Sequence, residues 1–178
     1  MLSFETKLKL AEVLLAQSLP LAREQGDIWA QGFMYIDLAQ IKFAQGDYMS
    51  AQRLYQETLN MHAQLGQIFA IRDSFVGLAC VAIAMHASIE RIAILLGAAK
   101  ALSTSLGSDL DITAIMHDER YETYVQEHHT EATFASAWAK GQAMPIKDAI
   151  AYAFPANKVV RNYAPNARVT GAIWTTIG

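Results

Sequence analysis

The sequence predicts an all-α protein, built as a solenoid of antiparallel helix pairs. Residues 46–65 reappear about 41 residues later as residues 87–106, and in both copies a turn leads into a helix. Proline is scarce, with 4 residues in 178, and 53% of the chain is hydrophobic, which together favour long helices. The apolar positions of the two copies coincide at three pairs: Ala51 with Ile92, Leu54 with Leu95, and Tyr55 with Leu96.

The first predicted helix covers residues 4–17, where apolar side chains recur at helical spacing from Phe4 to Leu15. Pro20 is expected to disturb the end of this helix, and Gly26 is expected to stop the turn that follows. The second predicted helix, over residues 28–44, places five apolar residues on related faces: Trp29, Phe33, Ile36, Ala39 and Phe43.

Three further helices are predicted over residues 48–65, 69–86 and 89–106. Asp47 and Ser88 are expected to cap the third and fifth helices, because their side-chain oxygens accept hydrogen bonds from free backbone N–H groups. Helices joined by such short turns must pack antiparallel, each on the next. These five helices make residues 1–107 the repeat region.

The repeat is lost after residue 107, and residues 108–154 are predicted to form a helical cap on the last repeat. A solenoid must cover its terminal core with atypical units, and shorter helices suit that role. The cap is expected to contain three helices: one from Asp109 or Asp111 to about His128, one over residues 131–139 after Thr130, and one from Pro145 to near Phe154.

Residues 155–178 are predicted to form an irregular tail. This segment has no acidic residue, three basic residues, several turn signals and no helical period. Three alternatives stay open for it: a loosely ordered extension, a segment packed over the end of the solenoid, or an edge-like segment that mediates association.

Charge and cysteine usage limit the class of protein. The net charge of −3 gives no electrostatic footprint for nucleic acid. The single cysteine, Cys80, lies in an apolar run and is expected to be a buried, inert thiol, which fits a reducing cytoplasm. The N-terminus lacks the pattern of a signal peptide, and the apolar run 75–87 is shorter than the ~20 residues of a membrane span. We therefore expect a cytoplasmic protein that contacts no membrane.

Small and large side chains follow a fixed pattern in the first helix pair, at Tyr35, Leu38, Ala39, Ala51 and Tyr55. This pattern resembles a tetratricopeptide repeat, in which small residues let paired helices approach and large residues fill the gap between them. The next helix pair keeps Phe75, Leu78 and Ala79 but places Ile92 where a small residue is usual. The resemblance implies a tetratricopeptide-like, right-handed α-α superhelix with a C-terminal helical cap.

Residues 26–154 are also similar to the carboxy-terminal region of large bacterial signal-transduction ATPases, many of which carry a LuxR-type DNA-binding or a cyclase domain. The segments 95–99 and 134–141 carry this resemblance. In that family the repeats serve as sensor or scaffold, and a separate domain hydrolyses nucleotide. The chain has no GxxxxGK[ST] loop. The resemblance implies a non-catalytic interaction, sensor or scaffold module of a bacterial signalling or transcription regulator.

No pattern in the sequence predicts an enzyme, a cofactor or a metal. The chain has no G-x-S-x-G elbow and no dinucleotide-binding fingerprint. One cluster of ligand-type residues has neither the i, i+4 histidine pair nor the cysteine pair typical of zinc, so we interpret it as a solvated polar face. Its members are His117, Asp118, Glu119, Glu122, His128 and His129.

In a tetratricopeptide stack the first helix of each pair lines the concave groove. The groove predicted here is apolar, so it should be covered by the cap, a protein partner, a small apolar ligand or a second copy, and a homodimer is expected. The alternatives to a protein-binding module are a receptor domain for a small apolar effector and a structural self-association unit. The predicted groove residues are Phe33, Ile36, Gln40, Phe43, Asp73, Val76, Cys80 and Ile83.

Overall fold

A computed structural model describes residues 2–154 of the chain, and within them the protein is all-α, without a strand. The predicted tail, residues 155–178, lies outside the described residues. The helices in chain order are α1 (Phe4–Glu24), α2 (Ile28–Ala44), α3 (Tyr48–Leu65), α4 (Ile68–Ala84), α5 (Ile89–Ser105), α6 (Ile112–Met116), α7 (Glu119–His128), α8 (Ala132–Ala143) and α9 (Ile146–Tyr152).

The first five helices pack in chain order, each mainly on the next, as the short turns predicted. The last helices depart from this order, because α8 packs along α5 while α9 contacts both α3 and α5. Helix α6 contacts α4 and α7. Within residues 2–154, no helix combines the length and the apolar character needed to cross a membrane.

The bounds of α2 and α3 agree with the predicted ranges, because strong local signals mark their ends. The Asp47 carboxylate accepts a hydrogen bond from the Ser50 N–H at 3.1 Å. Gly66 ends α3 with a φ of 67°, a left-handed conformation that glycine adopts without strain. The predicted cap at Ser88 is also confirmed, since its hydroxyl accepts a hydrogen bond from the Arg91 N–H.

The expected end of α1 near Gln17 is wrong, because the helix continues through Pro20 to Glu24. Pro20 lies on the exposed side of the helix, where a missing backbone hydrogen bond leaves a carbonyl open to water. Continuing the helix buries Leu19 and Ala22 against the rest of the protein. The burial of these side chains outweighs the cost of the proline.

The expected continuous helix ending at His128 is also wrong, since it is broken at His117, whose φ is 55°. The Asp118 side chain then caps α7 by accepting the Arg120 N–H at 3.0 Å. The break lets Met116 and Tyr121 both point into the core. Thr130 does not cap α8, because the N-cap position is Glu131 and no side chain accepts a hydrogen bond there.

A close crossing of α5 and α8 holds the later helices to the first five. A Cβ atom on Gly97 would lie 2.2 Å from the Trp138 carbonyl oxygen, and one on Gly141 would lie 2.2 Å from the Ile94 carbonyl oxygen. Both glycines are therefore required, because the opposing atoms belong to the backbone. Segments 95–99 and 134–141, singled out in the sequence, meet at this crossing.

Candidate functional site

A cleft among the described residues lies between α1, α2 and the turn that joins α6 to α7. Its volume is about 870 Å³. One wall is apolar and comes from α1, through Phe4, Leu8 and Leu15. The polar part of the lining includes Asp37 of α2 and Arg120 of α7. An apolar wall with a few polar groups beside it is typical of binding clefts.

A polar contact holds the α1 wall against α2. The Lys42 ammonium lies 2.5 Å from a Glu12 carboxylate oxygen, and the Gln45 amide donates to the other oxygen at 2.8 Å. The hydrogen bonds from Lys42 and Gln45 keep the pKa of Glu12 below its usual value, so this carboxylate is ionised near neutral pH. This contact fixes the distance between the two helices beside the cleft.

Aromatic side chains form the floor of the cleft. The ring of Phe43 is buried, with its centroid 5.4 Å from that of Tyr48 and 5.5 Å from that of Tyr121. The Gln40 amide donates a hydrogen bond to the Ile115 carbonyl at 3.1 Å. Helices α6 and α7 are thereby bound over the face of α2 that the sequence assigned to the groove.

The polar residues of the cleft include a charged pair at the start of α7. The Asp118 carboxylate pairs with the Arg120 guanidinium at 2.6 Å, and these hydrogen bonds lower the pKa of Asp118. Asp37 keeps an exposed surface on α2, and partial desolvation raises the pKa of its carboxyl. His117 also lines the cleft, with its backbone in the left-handed region. A ligand would therefore meet acidic and basic groups as well as aliphatic side chains.

The predicted groove residues of α2 lie partly in this cleft. Gln40 and Phe43 line it, whereas Ile36 is buried. Phe33 is half-buried outside the cleft, with its ring centroid 4.7 Å from that of Trp29. The structure thus assigns two of these four residues to the cleft.

The predicted groove residues of α4 lie elsewhere. Val76 and Cys80 have no exposed surface, so neither contacts solvent or a partner in this structure. Asp73 is half-buried and pairs with the neighbouring Arg72 at 2.7 Å. Ile83 lines a smaller pocket of about 540 Å³ beside α7. The repeat pattern predicted one continuous groove, but these side chains do not share an accessible surface.

Sequence reasoning missed the α1 wall and the α6–α7 turn. The tetratricopeptide pattern names positions within one helix pair, so it assigns no role to a preceding helix or a following turn. The stripe of Phe4, Leu8 and Leu15 was visible as a helical pattern. It carried no information about which part of the stripe packs on α2 and which part borders a cleft.

The histidines of the polar cluster make local contacts. The His128 ring donates through Nδ1 to the Tyr124 carbonyl at 2.8 Å and stacks on the Tyr124 ring at 4.1 Å. The His129 Nδ1 donates to the Gln126 carbonyl at 2.6 Å. Among residues 2–154, no three His, Cys, Asp or Glu side chains converge in a way that would hold a metal ion.

The lining of the cleft is mainly apolar. Its polar side chains include Asp37, Gln40, His117, Asp118 and Arg120. The Cys80 thiol lies in the core, and its burial raises its pKa well above the usual value. The cleft therefore offers an apolar surface with several charged residues.

Comparisons with known proteins do not assign this site. Searches against protein-family models, curated proteins and solved structures found no match to the chain. The function must therefore be argued from the geometry and chemistry of the cleft.

Proposed function

We propose that the chain is a non-catalytic interaction module with a tetratricopeptide-like superhelix, and that its cleft binds a segment of a protein partner. The burial of equivalent positions in the two helix pairs supports the repeat. Ala39 and Ala79 are both fully buried on the first helices of the pairs, and Tyr55 and Leu96 are both fully buried on the second helices. The small residues sit where helices approach closely and the large residues fill the space beside them.

The observation that supports a protein partner most directly is the lining of the cleft. Its α1 wall presents Phe4, Leu8 and Leu15 along several turns of helix, which suits the apolar face of an amphipathic helix. The Asp37 carboxylate in the lining of the cleft favours a basic side chain on the same segment. We therefore propose an amphipathic helical segment with a basic residue as the partner.

The proposed setting is a cytoplasmic bacterial signalling or transcription regulator. Its support is the meeting of segments 95–99 and 134–141 at the α5–α8 crossing, where Gly97 and Gly141 are both required. The segments that carry the sequence resemblance are thus one structural unit. A single buried cysteine agrees with a reducing compartment.

A second candidate is a receptor for a small apolar effector. The volume of about 870 Å³ lies within the ~300–1,000 Å³ of small-molecule pockets. The rings of Phe43 and Tyr121 offer an aromatic floor to such a ligand. A compact molecule would contact mainly the aromatic floor, whereas a helical segment would contact mainly the α1 wall.

A selection from a displayed library of random peptides, against the immobilised chain, tests the proposal. We expect enriched peptides with apolar residues at helical spacing and at least one basic residue. Leu8→Glu should abolish their binding, because it places a charge in the apolar wall. Met49→Glu is the control, since Met49 is exposed and lies outside the cleft.

The proposal is wrong if no helical pattern is enriched, or if Leu8→Glu binds the peptides as well as the control does. Binding of an environment-sensitive dye, anilinonaphthalene sulfonate, distinguishes a receptor for a small apolar effector from a module that binds a protein segment. Stoichiometric dye binding that Phe43→Ala weakens, in the absence of peptide enrichment, would favour a small apolar effector. Circular dichroism of each variant shows that the fold is kept.

A further inference from the structure

Helix α1 carries a second apolar row, turned away from α2. Its four members are half exposed: Leu10 at 50%, Val13 at 52%, Leu14 at 54% and Leu21 at 59%. At 3.6 residues per turn they fall within about 100° of the helix circumference, so they form one stripe. We name this stripe the α1 outer face. Leu14 also borders the cleft, so the two surfaces share an edge.

The charge of α1 makes it suitable for contact with its own copy. The helix carries Lys7, Lys9 and Arg23 against Glu5, Glu12 and Glu24, so its net charge is zero. The other described residues, 25–154, contain eight basic and fourteen acidic residues. Two copies therefore repel one another little where they meet through α1.

The size of the face indicates what kind of contact it makes. A helix of 21 residues is about 31 Å long and roughly 10–12 Å wide, so one face covers on the order of 300–400 Å². Two such faces bury about 700 Å², which is below the ~1,200–2,000 Å² of stable interfaces. A contact of this size predicts a reversible dimer that dissociates on dilution.

We propose that the α1 outer face binds a second copy of this chain, in an antiparallel α1–α1 contact across a twofold axis. An isologous contact uses one surface twice and leaves no apolar face uncovered. The antiparallel arrangement places opposite ends of the two helix dipoles together. Leu14 is the midpoint of Phe4–Glu24, so the two copies of Leu14 lie near the axis. This inference does not depend on the function proposed for the cleft.

Light scattering coupled to size-exclusion chromatography tests the dimer across a range of protein concentrations. The wild-type mass should approach twice 19.6 kDa at high concentration and return to 19.6 kDa on dilution. Leu10→Glu with Leu21→Glu should stay near the monomer mass throughout, because it places charges within the contact. Met49→Glu with Phe69→Glu is the matched control, with two exposed apolar residues outside α1, and it should dimerise like the wild type.

Cysteine crosslinking tests the orientation of the helices. Cys80 is fully buried, so the natural chain should form no intermolecular disulfide under mild oxidation. Leu14→Cys should crosslink to its own copy, since a disulfide needs Cα atoms within about 7 Å. Leu10→Cys should not, because its two copies lie about 12 Å or more apart along antiparallel helices.

The proposal is overturned if the wild type is a monomer at every concentration, if its assembly exceeds a dimer, or if the double-glutamate variant of α1 dimerises like the control. Crosslinking of Leu10→Cys as efficiently as Leu14→Cys would overturn the antiparallel arrangement. Circular dichroism of both double variants establishes that they are folded, so a monomeric α1 variant reports on the contact.

Discussion

At the residue scale, His62 is the least expected side chain of the core. It is fully buried on α3, and among the described residues neither ring nitrogen has a hydrogen-bond partner. Its ring packs edge-on to Phe33 at 5.0 Å. A Cβ atom on Gly32 would lie 2.2 Å from its Nε2, so the glycine provides the space that the ring occupies. The imidazole therefore fills space in the core as an apolar side chain would.

The burial of His62 predicts a dependence of stability on pH. Desolvation lowers its pKa below 6.5. The unfolded chain therefore takes up a proton near pH 6.5, before the folded chain does. Stability is full above that pH and is lost as the pH falls through the lower, folded pKa.

Urea unfolding midpoints between pH of about 8 and about 5 measure this effect. The wild-type midpoint should fall with pH more steeply than that of His62→Leu, which cannot be protonated. Desolvation raises the pKa of Asp73, so that group acts in the opposite direction and is present in both proteins. Equal slopes for the two proteins would show that His62 is accessible to protons in the folded state.

At the element scale, two sets of contacts hold the last helices to the first five. They are the α5–α8 crossing and the hydrogen bonds at the end of α9. Arg91 of α5 donates to the Tyr152 carbonyl at 3.3 Å and to the Ala153 carbonyl at 3.2 Å. Gln56 of α3 donates to the Ala153 carbonyl at 3.0 Å. These hydrogen bonds satisfy free carbonyls at the end of α9, where a helix lacks internal partners.

Gly141→Ala should destabilise the protein by about 1–3 kcal/mol, because the new methyl group meets the Ile94 carbonyl and the backbones must separate. Ser136→Ala is the control, since Ser136 lies on the exposed side of α8. Chemical denaturation measures the free energy of unfolding of both variants. An unchanged free energy of unfolding for Gly141→Ala would contradict the close crossing.

Arg91→Ala should lower the free energy of unfolding by about 1–3 kcal/mol, since it removes charge-assisted hydrogen bonds to buried carbonyls. It should also expose α9 to proteolysis before the rest of the chain unfolds. Arg53→Ala is the control, because Arg53 is exposed on α3. Equal rates of proteolysis in the two variants would contradict the role of Arg91.

At the scale of the whole molecule, the ends of α2 and α3 followed from the sequence because their signals are local. Asp47 and Gly66 mark helix ends through their own side chain or backbone freedom. The extension of α1 past Pro20 and the break at His117 did not follow. Both features depend on side chains that are buried by elements distant in the chain. A single sequence does not show which of those elements meet.

The candidate site was predictable only in part, for the same reason. Gln40 and Phe43 follow from the position of α2 in its pair, and both line the cleft. Val76 and Cys80 occupy equivalent positions on α4, but they are fully buried in the core. The cleft is formed by α1 and by the turn after α6, whose positions depend on the packing of the whole chain.

The central claim is that the cleft between α1, α2 and the α6–α7 turn is the binding surface. Nuclear magnetic resonance of the isotope-labelled chain, titrated with a peptide selected against it, tests this claim most directly. We predict that the shifted amides cluster at Leu8, Gln40, His117 and Arg120, while those at Met49 stay unchanged. Shifts confined to the α1 outer face or to α8, with the cleft amides unmoved, would contradict the account.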